Sequence, residues 1–175
     1  QVHAAAYRLM REGNNGFLRL GPGATLYLDQ IIEAPVTHSM TLSADARASA
    51  AGTALAVSVC RKWLLTSQGC VHAGLPVRQS QGWQHVETSI DLSPLLASQR
   101  GLVPLPLPLT LSVSTPQGPG TLDVDNLQLQ TVAGANAVTN GSFESGMDRW
   151  FFTTDVDPPW HIHSLPLTVL FELGW

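Results

Sequence analysis

The chain has 175 residues, with nine Lys and Arg against 13 Asp and Glu, for a formal net charge of −4. Only one of the cations is lysine, Lys62, so there is no basic footprint of the kind a phosphate backbone requires, and nucleic acid is excluded as a partner. Charged residues make up 13% and hydrophobic residues 44%. That balance excludes disorder, fits one compact domain with its own core, and favours an uncharged ligand or a membrane neighbourhood.

Residues 1–12 contain Arg8, Arg11 and Glu12 and no apolar signal-type run, so any export signal is expected upstream. Phe17-Leu18-Arg19-Leu20 and Leu26-Tyr27-Leu28-Asp29-Gln30-Ile31-Ile32 read as strands separated by the turn signal Gly21-Pro22-Gly23. Alternation with period two then dominates: Met40, Leu42, Ala44 and Ala46 share one face, as do Leu55, Val57 and Val59, Val86, Ile90 and Leu92, and Leu109, Leu111 and Val113. Ser93-Pro94-Leu95-Leu96-Ala97-Ser98 is the only helical candidate in the body, with Ser93 as N-cap and Pro94 in the first turn. The run Pro104, Pro106, Pro108 predicts an extended connector, because proline cannot donate to a ladder. In Leu122-Asp123-Val124-Asp125-Asn126-Leu127-Gln128-Leu129 the apolar phase moves from even to odd numbers, which predicts a bulge near Asp125-Asn126. The expected class is all-β, a two-sheet antiparallel sandwich.

Cys60 and Cys70 flank a strand-then-turn composition that brings them side by side in a hairpin, and we read them as a disulfide, with two buried free thiols as the alternative. A disulfide would place the chain in an oxidising compartment. From Leu165 the chain grows more apolar up to Trp175, as at the start of a membrane helix, which suggests an excised loop of a larger membrane protein.

The ordered series Phe17–Leu20, Gln30, Met40-Thr41-Leu42-Ser43-Ala44-Asp45-Ala46-Arg47, Trp83-Gln84-His85-Val86 and Gly120–Leu129 resembles the carbohydrate-binding jelly rolls of the galactose-binding-like superfamily. In such modules a segment like Asn140-Gly141-Ser142-Phe143-Glu144 normally comes first, whereas here it follows the final strand. The resemblance therefore implies a circularly permuted jelly roll over residues 1–157, with 140–145 supplying the usual first strand. A truncated second module is the competing explanation. The tail, residues 158–175, is similar in His163, Leu167, Glu172 and Gly174 to a signature of the O-antigen ligase and polymerase family of bacterial inner-membrane proteins, with Ser164 where Asn is commoner. This second resemblance implies a periplasmic loop leading into a membrane helix.

Candidate site residues follow from these readings. Sugars bind to aromatic faces framed by polar groups, and Trp63 beside Arg61 and Lys62 offers that combination in the Cys60–Cys70 hairpin, although a buried sandwich tryptophan is the plainer role. Trp83 and Trp150 match positions the jelly rolls use for the core. The same family often holds a structural calcium, for which Glu144 and Asp125 are the matching carboxylates. In the ligase resemblance His163 would act as general base on an acceptor hydroxyl during transfer from a lipid-linked saccharide, in concert with the membrane-embedded remainder of the chain. The fragment alone is then expected to be catalytically silent, and no G-x-S-x-G, P-loop or dinucleotide pattern contradicts this. The expected function is glycan binding or positioning outside the cytoplasm. A structural or partner-docking spacer is the alternative.

Overall fold

The computed structural model describes residues 7–21, 27–32, 37–63, 66–97, 108–114 and 120–153. The elements, in order, are β1 (Tyr7–Glu12), β2 (Asn15–Leu20), β3 (Tyr27–Ile32), β4 (Ser39–Ala48), β5 (Ala54–Trp63), β6 (Thr66–Pro76), β7 (Gln84–Asp91), α1 (Ser93–Ala97), β8 (Leu109–Ser114), β9 (Leu122–Thr131) and β10 (Phe151–Thr153). Among the described residues they form two five-stranded sheets, sheet A in the order β1-β2-β9-β4-β7 and sheet B in the order β10-β3-β8-β5-β6. Every pairing between named strands is antiparallel. The all-β, two-sheet antiparallel sandwich expected from the alternation is the fold observed, and its strand order is that of the jelly roll the resemblance implied.

The alternation decides what is buried. Leu18, Leu20, Met40, Leu42, Ala44, Ala46, Leu122 and Val124 from sheet A meet Leu28, Leu55, Val57, Val59, Leu111 and Val113 from sheet B in one core. Successive side chains of a strand point to opposite faces, so fixing these positions inside fixes the intervening residues on the two outer faces. The predicted bulge is present on β9. Ser43 pairs with Gln128 but Asp45 pairs with Asp125, which leaves one extra residue on β9, and Asn126 takes it up at φ 48°. That is why Leu122 and Val124 face the core on even numbers and Leu127 and Leu129 on odd ones.

The helix α1 starts where proline in its first turn allows it, with one difference from the sequence expectation. The cap comes from Asp91, whose Oδ1 accepts the Ser93 N–H at 2.9 Å, while Ser93 is itself the first helical residue. The Ser93 hydroxyl and N–H hold the Asp91 carboxyl below its usual range. Cys60 and Cys70 are direct cross-strand partners on β5 and β6 and form the disulfide.

Residues 140–145 differ from the expected first strand: they form turns, with Asn140 at φ 52° and Phe143 at φ 56°. The segment is nevertheless docked. Gly141 O accepts the Leu127 N–H of β9 at 3.0 Å, Gln30 of β3 exchanges two 2.7 Å bonds with the Thr139 backbone, and Gly16 of β2 donates to Glu144 Oε1 at 3.0 Å. Phe143 is fully buried and stacks on the buried Trp150. The domain boundary near 157 and the tail 158–175 lie outside the described residues, and no described helix is long and apolar enough to cross a membrane.

Candidate functional site

The two outer faces have different chemistry. On sheet A, Arg19 of β2, Asp123 of β9 and Arg47 of β4 stand in one cross-strand row. Arg19 donates through Nε to Asp123 Oδ1 at 2.6 Å and through Nη2 to Oδ2 at 2.8 Å. Arg47 donates Nε to Asp123 Oδ2 at 2.7 Å, and its other nitrogens reach Glu12 of β1 at 2.5 and 3.2 Å. The Arg47 guanidinium lies 5.0 Å from the Phe17 ring and 4.6 Å from the Trp83 ring, and the two rings meet edge to face. Burial opposes ionisation of Asp123, yet the hydrogen bonds from Arg19 and Arg47 prevail and hold its carboxyl below the usual range. The donors of this row are engaged by neighbouring strands, and we assign it to holding sheet A together. Trp83 belongs to it as a half-buried wall for Arg47, and Trp150 is in the core as the resemblance implied.

Further along the same face, Asp45, Asp125, Asn15, Asn126 and His85 form a second polar group. Asp125 accepts from Asn15 Nδ2 at 2.9 Å and from the Asn126 N–H at 2.7 Å, and Asp45 accepts from Asn126 Nδ2 at 2.9 Å beside His85 Nδ1 at 2.9 Å. Burial first, then the nearby charges of Asp45 and Glu144, push the Asp125 carboxyl above its usual range against the pull of Asn15 and Asn126. The expected calcium carboxylates, Asp125 and Glu144, are thus brought into each other's field. As a donor set they fit calcium only in part: the atoms are hard oxygens, but both Asp125 oxygens and one of Glu144 already accept protein N–H groups. Among the described residues no group of three or more His, Cys, Asp or Glu converges on a metal position.

Sheet B presents a different outer surface. One row runs across all five strands: Phe151 of β10 pairs with Asp29 of β3, Asp29 with Ser112 of β8, Ser112 with Ser58 of β5, and Ser58 with His72 of β6. The next row carries Ile31, Thr110 and the Cys60–Cys70 disulfide. Adjacent strands are about 4.8 Å apart, so such a row extends about 19 Å. Its two sides are open, with Phe151 61% and Ile31 51% exposed on one side and His72 exposed on the other. Between them Asp29, Ser58, Thr110, Ser112 and Ser114 are buried although they point away from the core. Lys62 Nζ pairs with Asp29 Oδ2 and sets a cation into this polar floor.

The sequence-predicted sugar residues are distributed over both sides of sheet B. Lys62 lies on the outer face with Asp29. Arg61, one residue earlier, has the parity of Val57 and Val59; it is buried and donates from Nη2 to Leu95 O of α1. Trp63 ends β5 in register with Thr66, and its side chain is outside the described residues, as are His163 and the rest of the tail. Phe151, Asp29, Ile31 and His72 were not singled out from sequence. The exposed doublet Phe151-Phe152 directly after Trp150 was the available signal.

No family model and no curated protein matches this chain. Among solved structures it is similar to the apo carbohydrate-binding module of PbXyn10C, at 20% identity and TM-score 0.48, covering 88% of this chain and 89% of that one. It is also similar to a family 16 carbohydrate-binding module, at 13% identity and TM-score 0.47 over 75% of this chain and 89% of that one. A third is the family 30 carbohydrate-binding module of a Clostridium thermocellum cellulosomal cellulase, at 13% identity and TM-score 0.47 over 75% and 86%. At these values the likeness reaches no individual residue of the site.

Proposed function

We propose that the sandwich of this chain is a carbohydrate-binding module, without catalytic groups of its own, that holds a glycan across the outer face of sheet B. The observation that carries the reading is the register of exposed Phe151 with Asp29 and, beyond it, Ser112, Ser58 and His72. A pyranose has an apolar C–H face and an equatorial belt of hydroxyls, so it needs a flat apolar surface beside closely spaced donors and acceptors. Phe151 and Ile31 supply the first, and the partly exposed Lys62 ammonium and the exposed His72 ring supply the second, with the buried Asp29, Ser112 and Ser58 forming the floor that places them. Because Phe151 is exposed on a short edge strand, replacing it should leave the fold intact. Phe151→Ala is expected to weaken binding of a cell-surface polysaccharide about tenfold, the loss of roughly 1.4 kcal/mol of ring contact, as read by calorimetric titration of the purified domain. Equal affinity in the variant would move the site off this face, and failure of the parent domain to bind any such polysaccharide would leave the spacer role.

The wider setting we propose is the periplasmic loop of a membrane-bound, O-antigen-ligase-like glycan transferase. Its supports are the Cys60–Cys70 disulfide, which suits an oxidising compartment, and the tail pattern at His163, Leu167, Glu172 and Gly174. In this setting the sandwich positions glycan and His163, as a neutral imidazole, takes the proton of the acceptor hydroxyl. His163→Ala in the full-length protein is expected to abolish polymer transfer while the domain still binds glycan; undiminished transfer would remove His163 from the reaction. Calcium at Glu144 and Asp125 is also a proposal, supported by hard oxygen donors on adjoining segments.

A further inference from the structure

The four sheet edges are not equally protected against pairing with another chain. On sheet A the edge strand β1 carries Arg8, Arg11 and Glu12, and β7 carries His85, Glu87 and Asp91. On sheet B the edge strand β10 comprises three described residues, Phe151–Thr153. Charges and short length are the ordinary devices that keep an edge from recruiting a partner. The remaining edge, β6, is the longest strand at 11 residues and contains no Asp, Glu, Lys or Arg. Its ladder to β5 has a register shift opposite Arg61 and Lys62, and beyond that shift Cys70–Leu75 runs in unbroken register. The disulfide ties the start of this stretch to β5, so the strand is held in place before any partner arrives. Val71 and Ala73 point inward and pack on the core, yet both stay partly exposed along the edge. β7 lies alongside β6 where the sheets meet, but the two are not hydrogen-bonded.

We propose that β6 is a self-association edge, and that its occupant is the β6 strand of a second copy, paired antiparallel about a two-fold axis at His72, so that Cys70–Gly74 of the two copies are in register. A second copy fits because an uncharged strand can face itself without like charges meeting, a condition that β1 and β7 fail. Antiparallel pairing places each side chain opposite one on the same face, so Val71 and Ala73 are covered by the partner's equivalents, while His72 and Gly74 line the outer side. The two outer faces of sheet B then become one continuous surface. The association itself does not depend on what that surface binds.

The test is sedimentation velocity of the purified domain over a range of concentrations. The parent chain is expected to pass from monomer to dimer. Gly74→Lys is the principal variant, since a Cβ at Gly74 meets nothing within 4 Å and the fold has room for it. A charge placed on the edge in both copies is expected to raise the dissociation constant about tenfold or more. His72→Lys, on the same exposed face, repeats the test should Gly74→Lys not fold by circular dichroism. Glu87→Lys on β7 is expected to leave the dimer unchanged. A parent chain that stays monomeric at its solubility limit would overturn the proposal, as would edge variants that dimerise like the parent or a Glu87→Lys variant that does not dimerise.

Discussion

Phe143→Ala is expected to destabilise the domain by about 3–5 kcal/mol, the range for emptying a fully buried aromatic position. The ring is 0% exposed, and its centroid is 5.5 Å from that of Trp150, which is itself 4% exposed. Its neighbourhood is covalently remote: the segment around it bonds to β9 at Leu127, to β3 at Gln30 and to β2 at Gly16, so one plug ties strands of both sheets. The loss should exceed that of an ordinary edge residue, because Phe143 anchors a segment with no ladder of its own. Close approach reinforces this. A Cβ on Gly141 would lie 2.0 Å from Leu127 O, so the backbones touch in a way only glycine permits. The measurement is chemical denaturation of the variant, with hydrogen exchange at the Leu127 amide as the local readout. A variant whose unfolding free energy falls by less than about 1 kcal/mol, on the order of a surface substitution, would show that the plug is dispensable to the sandwich.

How much of this was legible in the sequence depends on which physical signal each residue carries. The inward positions of β4, β5 and β8 were readable because alternation is a local signal and core burial enforces it. The β9 bulge was readable for the same reason, as a break in phase at Asp125-Asn126. Strand β1 was not, since Tyr7-Arg8-Leu9-Met10-Arg11-Glu12 is a charged edge that buries little and so need not alternate. The plug was recognised as part of the domain, but its strand assignment failed because Asn140 and Phe143 adopt left-handed backbone conformations that tertiary contacts impose. For the candidate site, composition directed attention to the Trp63 hairpin, of which Lys62 reaches the outer face beside Asp29, yet Phe151, Asp29, Ser112, Ser58 and His72 come from five strands spread over the chain. Nothing local relates them; only the strand order of sheet B does.

The row on sheet A makes the second large prediction. Asp123→Asn keeps the shape of the side chain but removes the charge that balances Arg19 and Arg47, and is expected to cost about 3 kcal/mol. That is the low end for breaking a buried ion pair, because the Arg19 and Arg47 side chains remain 35% and 16% exposed to solvent. For a domain of this size the melting temperature should fall by about 6–12 °C. The pH dependence gives the prediction its sign. Asp123 has its folded pKa depressed, so its stabilising effect is present above the unfolded carboxylate range and is lost as pH falls through the folded value. The variant should therefore differ most from the parent at neutral pH, and the gap should narrow in acid. Asp125, two residues on and on the same face, has its folded pKa raised, so its contribution has the opposite sign and is lost as pH rises. Asp125→Asn should thus show no widening penalty toward neutral pH, although the strand and the burial are shared. Melting curves of both variants across this pH range separate the two carboxylates. If Asp123→Asn and Asp125→Asn trace parallel profiles, then charge balance across β2, β9 and β4 does not hold sheet A, and its cohesion must be assigned to the apolar face beneath.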